Sequence, residues 1–190
     1  MLSAAKPLIV AVTGMPGAGK STATIGLVEK GWNLVVMGDV IREETRRRGL
    51  EPNATNTGEV MRLLRKERGQ AAVADLCLEA IKESGASKVV VDGIRSMVEV
   101  ETFRKEGPVL LVAILASPHR RFELLKERGR NDDPLTLEMF SERDRRELDV
   151  GIGDAIALAD ETVSNQRMTT GMLEAEVASL VERWESHVED

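Results

Sequence analysis

"VTGMPGAGKST", residues 12–22, follows directly on the apolar run "PLIVA" and places three glycines and a proline ahead of a lysine with two hydroxyls behind it. Taken as Gly14, Met15, Pro16, Gly17, Ala18, Gly19, Lys20 and Ser21, with Thr22 next, it fits G-x-x-x-x-G-K-[ST], the P-loop pattern. Glycine removes the Cβ that would stop backbone N–H groups from curling around phosphate oxygens. The helix that follows adds unpaired donors and the positive end of its dipole. In such a loop the Lys20 ammonium bridges the β- and γ-phosphates of a nucleotide, and the Ser21 hydroxyl ligates a magnesium ion shared with it. An ordinary glycine-rich turn needs neither the strand before the loop nor the helix after it.

Outward from the loop, residues 8–13 (LIVAVT), 34–37 (LVVM), 88–92 (KVVVD), 109–115 (VLLVAIL) and 161–165 (ETVSN) predict five strands. Most are unbroken apolar runs, the pattern of strands covered on both faces in a parallel sheet. Helical spacing fills the intervals at about 20–30, 40–48, 58–84 with a break near Gly69, 96–105, 118–128 and 135–149. Leu173, Val177, Leu180, Val181, Trp184 and Val188 share one face of a last helix. This alternation predicts an α/β fold, a three-layer sandwich. With no internal repeat, low-complexity tract or linker, the 190 residues read as a single domain, 1–190.

The net charge of -6 argues against an extended nucleic-acid surface. Cys77 is the one cysteine, so it forms no internal disulfide, and in the helical run "AAVADLCLEAI" it reads as a buried, inert thiol. A reducing cytoplasm fits. The longest apolar runs are too short to span a bilayer, and no signal-peptide pattern opens the chain, so the expectation is a soluble protein without membrane or nucleic-acid partners. His119, His187 and Cys77 lack metal-ligand spacing.

Among P-loop proteins, a GTPase would add N-K-x-D and D-x-x-G motifs, and neither occurs. A ring-forming ATPase would call for a second helical domain after the last strand, where only one helix is predicted. A small phosphotransferase remains, and it needs a carboxylate near the magnesium, an acceptor pocket and arginines that close over the phosphates. Asp92 ends the apolar strand in "KVVVDGIRS", where open α/β sheets collect ligands; it is placed to orient magnesium waters or to cap the next helix, and Arg95 follows it. On the acceptor side, "VVMGDVIREETRRRG" delivers Gly38, Asp39 and Arg42 to the start of a helix, with a simple N-cap and a solvated arginine as the alternative reading. Residues 119–146 hold seven arginines and one lysine against seven acids, which suits a flap exchanging carboxylates for phosphates, or a salt-bridged helical hairpin. Arg121, Arg130 and Arg143 are the candidates there.

Taken in order, "GMPGAGKST", "GDVIREE", "VVVDGIR", "RFELLKERGRNDD" and "ERDRREL" resemble the adenylate kinase and nucleoside monophosphate kinase superfamily over nearly the whole chain. The spacing is most similar to archaeal adenylate-kinase-related nucleotide-binding proteins that also resemble dephospho-CoA kinases. The resemblance implies a five-stranded parallel core of order 2-3-1-4-5, an acceptor-binding insertion at about 38–85 and a short lid at about 119–147. It implies Asp39 and Arg42 after the second strand, with the arginine on the acceptor phosphate, and Asp92, Gly93 and Arg95 ending the third. Lid arginines flanking an Asp-Asp pair are matched by Arg121 or Arg128, Arg130 and Arg143. The chain departs from adenylate kinases in reading Asp92, Gly93, Ile94, Arg95, where those enzymes carry a proline before the arginine, and in its short lid.

The leading expectation is magnesium-dependent transfer of the ATP γ-phosphoryl group to a small nucleotide-like acceptor, a nucleoside monophosphate. A second is phosphorylation of a hydroxyl in a coenzyme A precursor, with Asp39 taking the proton. A third is an ATP-binding switch whose arginine flap docks a partner. With few aromatic residues, the adenine is expected on aliphatic side chains and backbone near Asn165.

Overall fold

In the computed structural model, which describes residues 6–129 and 133–188, every predicted strand is present. They are β1 (Leu8–Thr13), β2 (Asn33–Val36), β3 (Lys88–Ile94), β4 (Val109–Leu115) and β5 (Glu161–Ser164). All pair in parallel, in the order β2-β3-β1-β4-β5 that the resemblance implied. The helices between them are α1 (Lys20–Glu29), α2 (Met37–Arg47), α3 (Ala54–Arg68), α4 (Ala72–Ser84), α5 (Met97–Arg104), α6 (Pro118–Arg128), α7 (Leu137–Val150), α8 (Ile152–Ala157) and α9 (Thr170–Val188).

Side chains alternate across each central strand into two cores, as the two-residue period of a strand requires. Ile9 and Ala11 of β1 join Met37 and Ile41 of α2, Leu64 of α3 and Phe103 of α5 on one face. Val10 and Val12 join Leu27 of α1 and Leu173, Val177 and Val181 of α9 on the other. The unbroken apolar runs are therefore two half-cores written into one strand. Cys77 belongs to the first core, where burial pushes its thiol up to about 12. No helix among the described residues is long and apolar enough to cross a membrane.

Two helix starts and one short helix differ from expectation, each for a local reason. α2 begins at Met37, which puts Gly38 and Asp39 inside its first turn. α3 begins at Ala54 because the Asn53 side chain accepts from the Asn56 amide at 2.9 Å, and Gly69 ends it. α8 was not anticipated; its six residues are too few to show a helical period, and it starts from Gly151, which also ends α7.

One irregularity shapes the site. Val12 pairs with Asp92 but Thr13 with Ile94, so Gly93 is an extra residue in β3 at a φ of 104°. The Thr13 hydroxyl donates to the Ile94 carbonyl at 2.9 Å and closes the bulge. Such a bulge re-aims the chain at a strand end, here between Asp92 and Arg95. A Cβ on residue 93 would meet only Met37 Cβ, at 3.7 Å, so the obstacle to substitution is the backbone angle and not space. Gly93→Ala is expected to lower unfolding free energy by about 1–3 kcal/mol in urea titration. An unchanged midpoint would contradict the bulge.

Candidate active site

A loop that turns its amides inward must turn its carbonyls outward, because C=O and N–H point opposite ways across a trans peptide. Those carbonyls need donors from elsewhere. Arg121 Nη1 of α6 donates to the Pro16 carbonyl at 3.1 Å. Asn165 Nδ2, just past β5, donates to the Ala18 carbonyl at 2.9 Å. Lys20 Nζ donates to the Gly14 and Met15 carbonyls at 2.6 and 3.3 Å. α6 presses so closely that a Cβ on residue 17 would lie 2.6 Å from the Arg121 carbonyl oxygen. Helices α3, α5, α6 and α7 open on capping side chains, Asn53, Ser96, Ser117 and Thr136, whereas α1 opens on Gly19 with none. Its amino-terminal donors are left for an anion.

Beside the loop, the Ser21 hydroxyl donates to Asp92 Oδ2 at 3.1 Å. Asp92 lies within β3, and Ser96 is the cap of α5, so the capping role weighed for Asp92 is not the one it plays. Asp92 is buried at 6% exposure, and its Oδ1 has no hydrogen-bond partner among the described residues. Burial pushes its carboxyl up, against the pull of the Lys20 ammonium and the Ser21 hydrogen bond. An orphaned buried carboxylate oxygen next to a hydroxyl suits a hard cation completed by phosphate oxygens. Burial also pushes Lys20 down, to about 8, with Asp92 opposing that fall.

Two cavities open from this centre. One, of about 540 Å³, is bordered by Ser21, Asp92 and Asp39 and by apolar side chains of α1 and β2. The other, of about 650 Å³, lies between α2, α3, the end of β3 and α7, with Arg42, Arg65, Arg95, Arg143 and Arg146 facing Glu99 and Glu147. Asp39 does not cap α2; it receives a fork from Arg42, whose Nε donates at 3.0 Å. Gly38 and Gly93 line the same cleft. Arg65 Nη2 and the Arg95 amide both donate to Glu99, at 3.3 and 2.8 Å, and this buried carboxyl is pushed up by its burial. Arg95 Nε meets Glu147 at 3.0 Å.

The lid arginines divide. Arg121 is 4% exposed and forks onto Asp144 of α7 at 2.7 and 2.6 Å, so it ties lid to loop from beneath. Arg128 forks onto Asp133, with Nε donating at 2.9 Å, and Arg143 reaches Asp133 at 3.5 Å. Arg130 and Asp132 lie outside the described residues. Arg65, Glu99, Arg146 and Glu147 were not anticipated. For α7 a signal existed: Arg143, Arg146, Glu147 and Val150 fall at i, i+3, i+4 and i+7 and share one face. Asn165, expected near adenine, has its amide committed to the loop.

Residues 13–141 match the AAA domain family. The UPF0200 protein of Methanocaldococcus jannaschii is 51% identical over 164 residues, 84% of this chain and 82% of that protein. The UPF0200 protein of Hyperthermus butylicus is 44% identical over 182 residues, 96% and 97% of the two chains. Among solved structures, TT1252 from Thermus thermophilus has a TM-score of 0.66 at 18% identity, covering 94% of this chain and 98% of that one. Shikimate kinase from Acinetobacter baumannii, in complex with shikimate, has a TM-score of 0.55 at 17% identity, covering 97% and 96%. At these identities the structures share the P-loop kinase fold.

The lowered Lys20 value sets a pH test. With a value of about 8, half of Lys20 is neutral at pH 8, against under about 1% of a lysine at the ordinary value. An amine-acylating reagent at pH 8 should therefore modify Lys20 ahead of exposed Lys105, as read by peptide mass spectrometry. Its rate should level off above pH 9, and a bound triphosphate should protect it by holding the proton. A Lys20 labelling rate that goes on rising with pH beyond 10 would contradict the lowered value.

Proposed function

The chain belongs to the UPF0200 family, and its residues 13–141 to the AAA domain family; from that premise we propose an ATP-dependent phosphotransferase acting on a small phosphorylated acceptor. Within that class the acceptor is a nucleoside monophosphate. The observation that carries this reading is the basic cleft beside Lys20, into which α2, α3, the end of β3 and α7 each bring an arginine.

Free backbone amides between Gly14 and Thr22, where Pro16 has no N–H to give and that of Ala18 serves the Met15 carbonyl, hold the triphosphate together with Lys20. Ser21 and Asp92 hold a magnesium ion, which when bound neutralises phosphate charge. Arg42 leaves Asp39 for the acceptor phosphate, with Arg95 as its second clamp, and Gly38 and Gly93 let that phosphate approach the backbone. An oxygen of the acceptor phosphate attacks the γ-phosphorus, the bond from that phosphorus to the bridging oxygen breaks, and ADP departs with the electron pair. The attacking oxygen is already anionic, so the site has to align it and offset charge more than remove a proton. Arg143 and Arg146 close from α7 over the moving group, and Arg130 is retained as a third lid arginine. Arg121 acts through the shape of the loop.

The second reading, phosphorylation of a hydroxyl as in dephospho-CoA kinases, draws on Asp39, which borders the smaller cavity with Ser21 and Asp92. Purified protein with ATP and magnesium, screened against nucleoside monophosphates and dephospho-CoA, separates the two. Transfer to a monophosphate should fall roughly 100- to 1000-fold with Lys20→Ala. Arg42→Ala should raise the acceptor KM by about tenfold. If dephospho-CoA is the acceptor, Asp39→Asn collapses kcat with little change in KM. Tight ATP binding with transfer to nothing would instead support the switch.

A further inference from the structure

α7 carries two acids three residues apart that reach in different directions. Asp144 turns to Arg121 beneath the P-loop, while Glu147 turns into the acceptor cleft and pairs with Arg95. Glu147 is 16% exposed there, against 38% for the arginine, so the acid is the more enclosed of the two. The other glutamate of the cleft has a packing task, since Glu99 accepts from the Arg95 amide and from Arg65. Among the described residues Glu147 has Arg95 as its only ion-pair partner. Its charge also favours the Lys20 ammonium, so it lies within electrostatic reach of the loop. A carboxylate on a guanidinium offers the same kind of acceptor oxygens that a phosphate offers.

We infer that Glu147 is a specificity-determining residue: in the ligand-free protein its carboxylate holds the place on Arg95 that the acceptor phosphate takes, and the acceptor binds by displacing it. The inference rests on the acceptor role given to Arg95 above. A neutral acceptor cannot displace the carboxylate, and a phosphate dianion can, so the site selects acceptors that arrive already phosphorylated. Apparent affinity falls by the fraction of molecules in which Arg95 is free. The exchange also releases α7 on its acceptor side while Asp144 keeps it attached at the loop.

The test is calorimetry on the full chain with the P-loop filled by magnesium and β,γ-imido-ATP. AMP, inorganic phosphate and adenosine are titrated into wild type and Glu147→Gln, with Glu147→Ala as a second variant carrying the same expectation. AMP and phosphate should bind the variants about fivefold more tightly, with adenosine unchanged. Unchanged or weaker AMP binding overturns the inference, and so does an equal gain for adenosine, which would mean a loosened α7 and not a removed competitor. If neither AMP nor phosphate binds wild type or variant, the acceptor reading falls and this inference with it. Binding without gain removes this inference alone.

Discussion

The outward-facing carbonyls of residues 14–18 constrain everything else in the site. A backbone whose amides converge on an anion leaves most of its oxygens to donors outside the loop, although the Met15 carbonyl also accepts from the Ala18 amide at 3.1 Å, and buried oxygens without donors are costly. The chain answers with one donor from α6, one from the end of β5 and one from the head of α1. Three elements far apart in sequence are thus fixed around one loop. The loop is as much held by the fold as the fold is organised by the loop. Arg121 shows the economy of this, because the guanidinium that caps the Pro16 carbonyl also forks onto Asp144. Loop shape and lid position therefore share one side chain.

Four of the five arginines around this cleft are engaged by carboxylates of the same chain: Arg42 by Asp39, Arg65 by Glu99, Arg95 by Glu147 and Arg143 by Asp133. Five guanidinium groups gathered around an empty, partly desolvated cleft would repel one another. The resident acids remove that repulsion while no ligand is present. They differ in how readily they let go. Glu99 is buried in the first turn of α5 and bonded to a backbone amide, so it stays. Asp39 is exposed at the cleft mouth and can release Arg42 to water-accessible ligand.

How much of this could be read in advance follows from where each requirement lives. The loop was legible because its demands are local: glycines, a lysine and a hydroxyl at fixed spacing after a strand. The central strands were legible because buried parallel strands are apolar on both faces, and the two cores confirm that division residue by residue; the order of the strands came only with the resemblance to the adenylate kinase superfamily. Asp92 was legible as a strand end. Glu99 and Glu147 were not, since what makes each of them matter is an arginine brought near by tertiary packing, from α3 in one case and from the end of β3 in the other. Arg121 and Asn165 were picked out as residues but placed by residue type alone. Packing supplied what the type could not: both serve carbonyls of the loop.

An acidic chain with an arginine-lined cleft sets opposite charges against each other at short range. With a net charge of -6, the long-range field disfavours phosphates, and salt screens that field beyond about 8–10 Å. Inside the cleft the balance reverses, because arginines outnumber glutamates and low-dielectric walls raise the weight of each nearby charge. Pairing every arginine permanently would cancel the attraction, and leaving every arginine bare would destabilise the empty cleft. Acids on one helix answer both demands: Asp144 ties α7 to Arg121 beneath the P-loop and Glu147 ties it to Arg95 in the cleft. On the displacement inferred for Glu147, the charge that stabilises the ligand-free cleft is the charge that an incoming phosphate replaces.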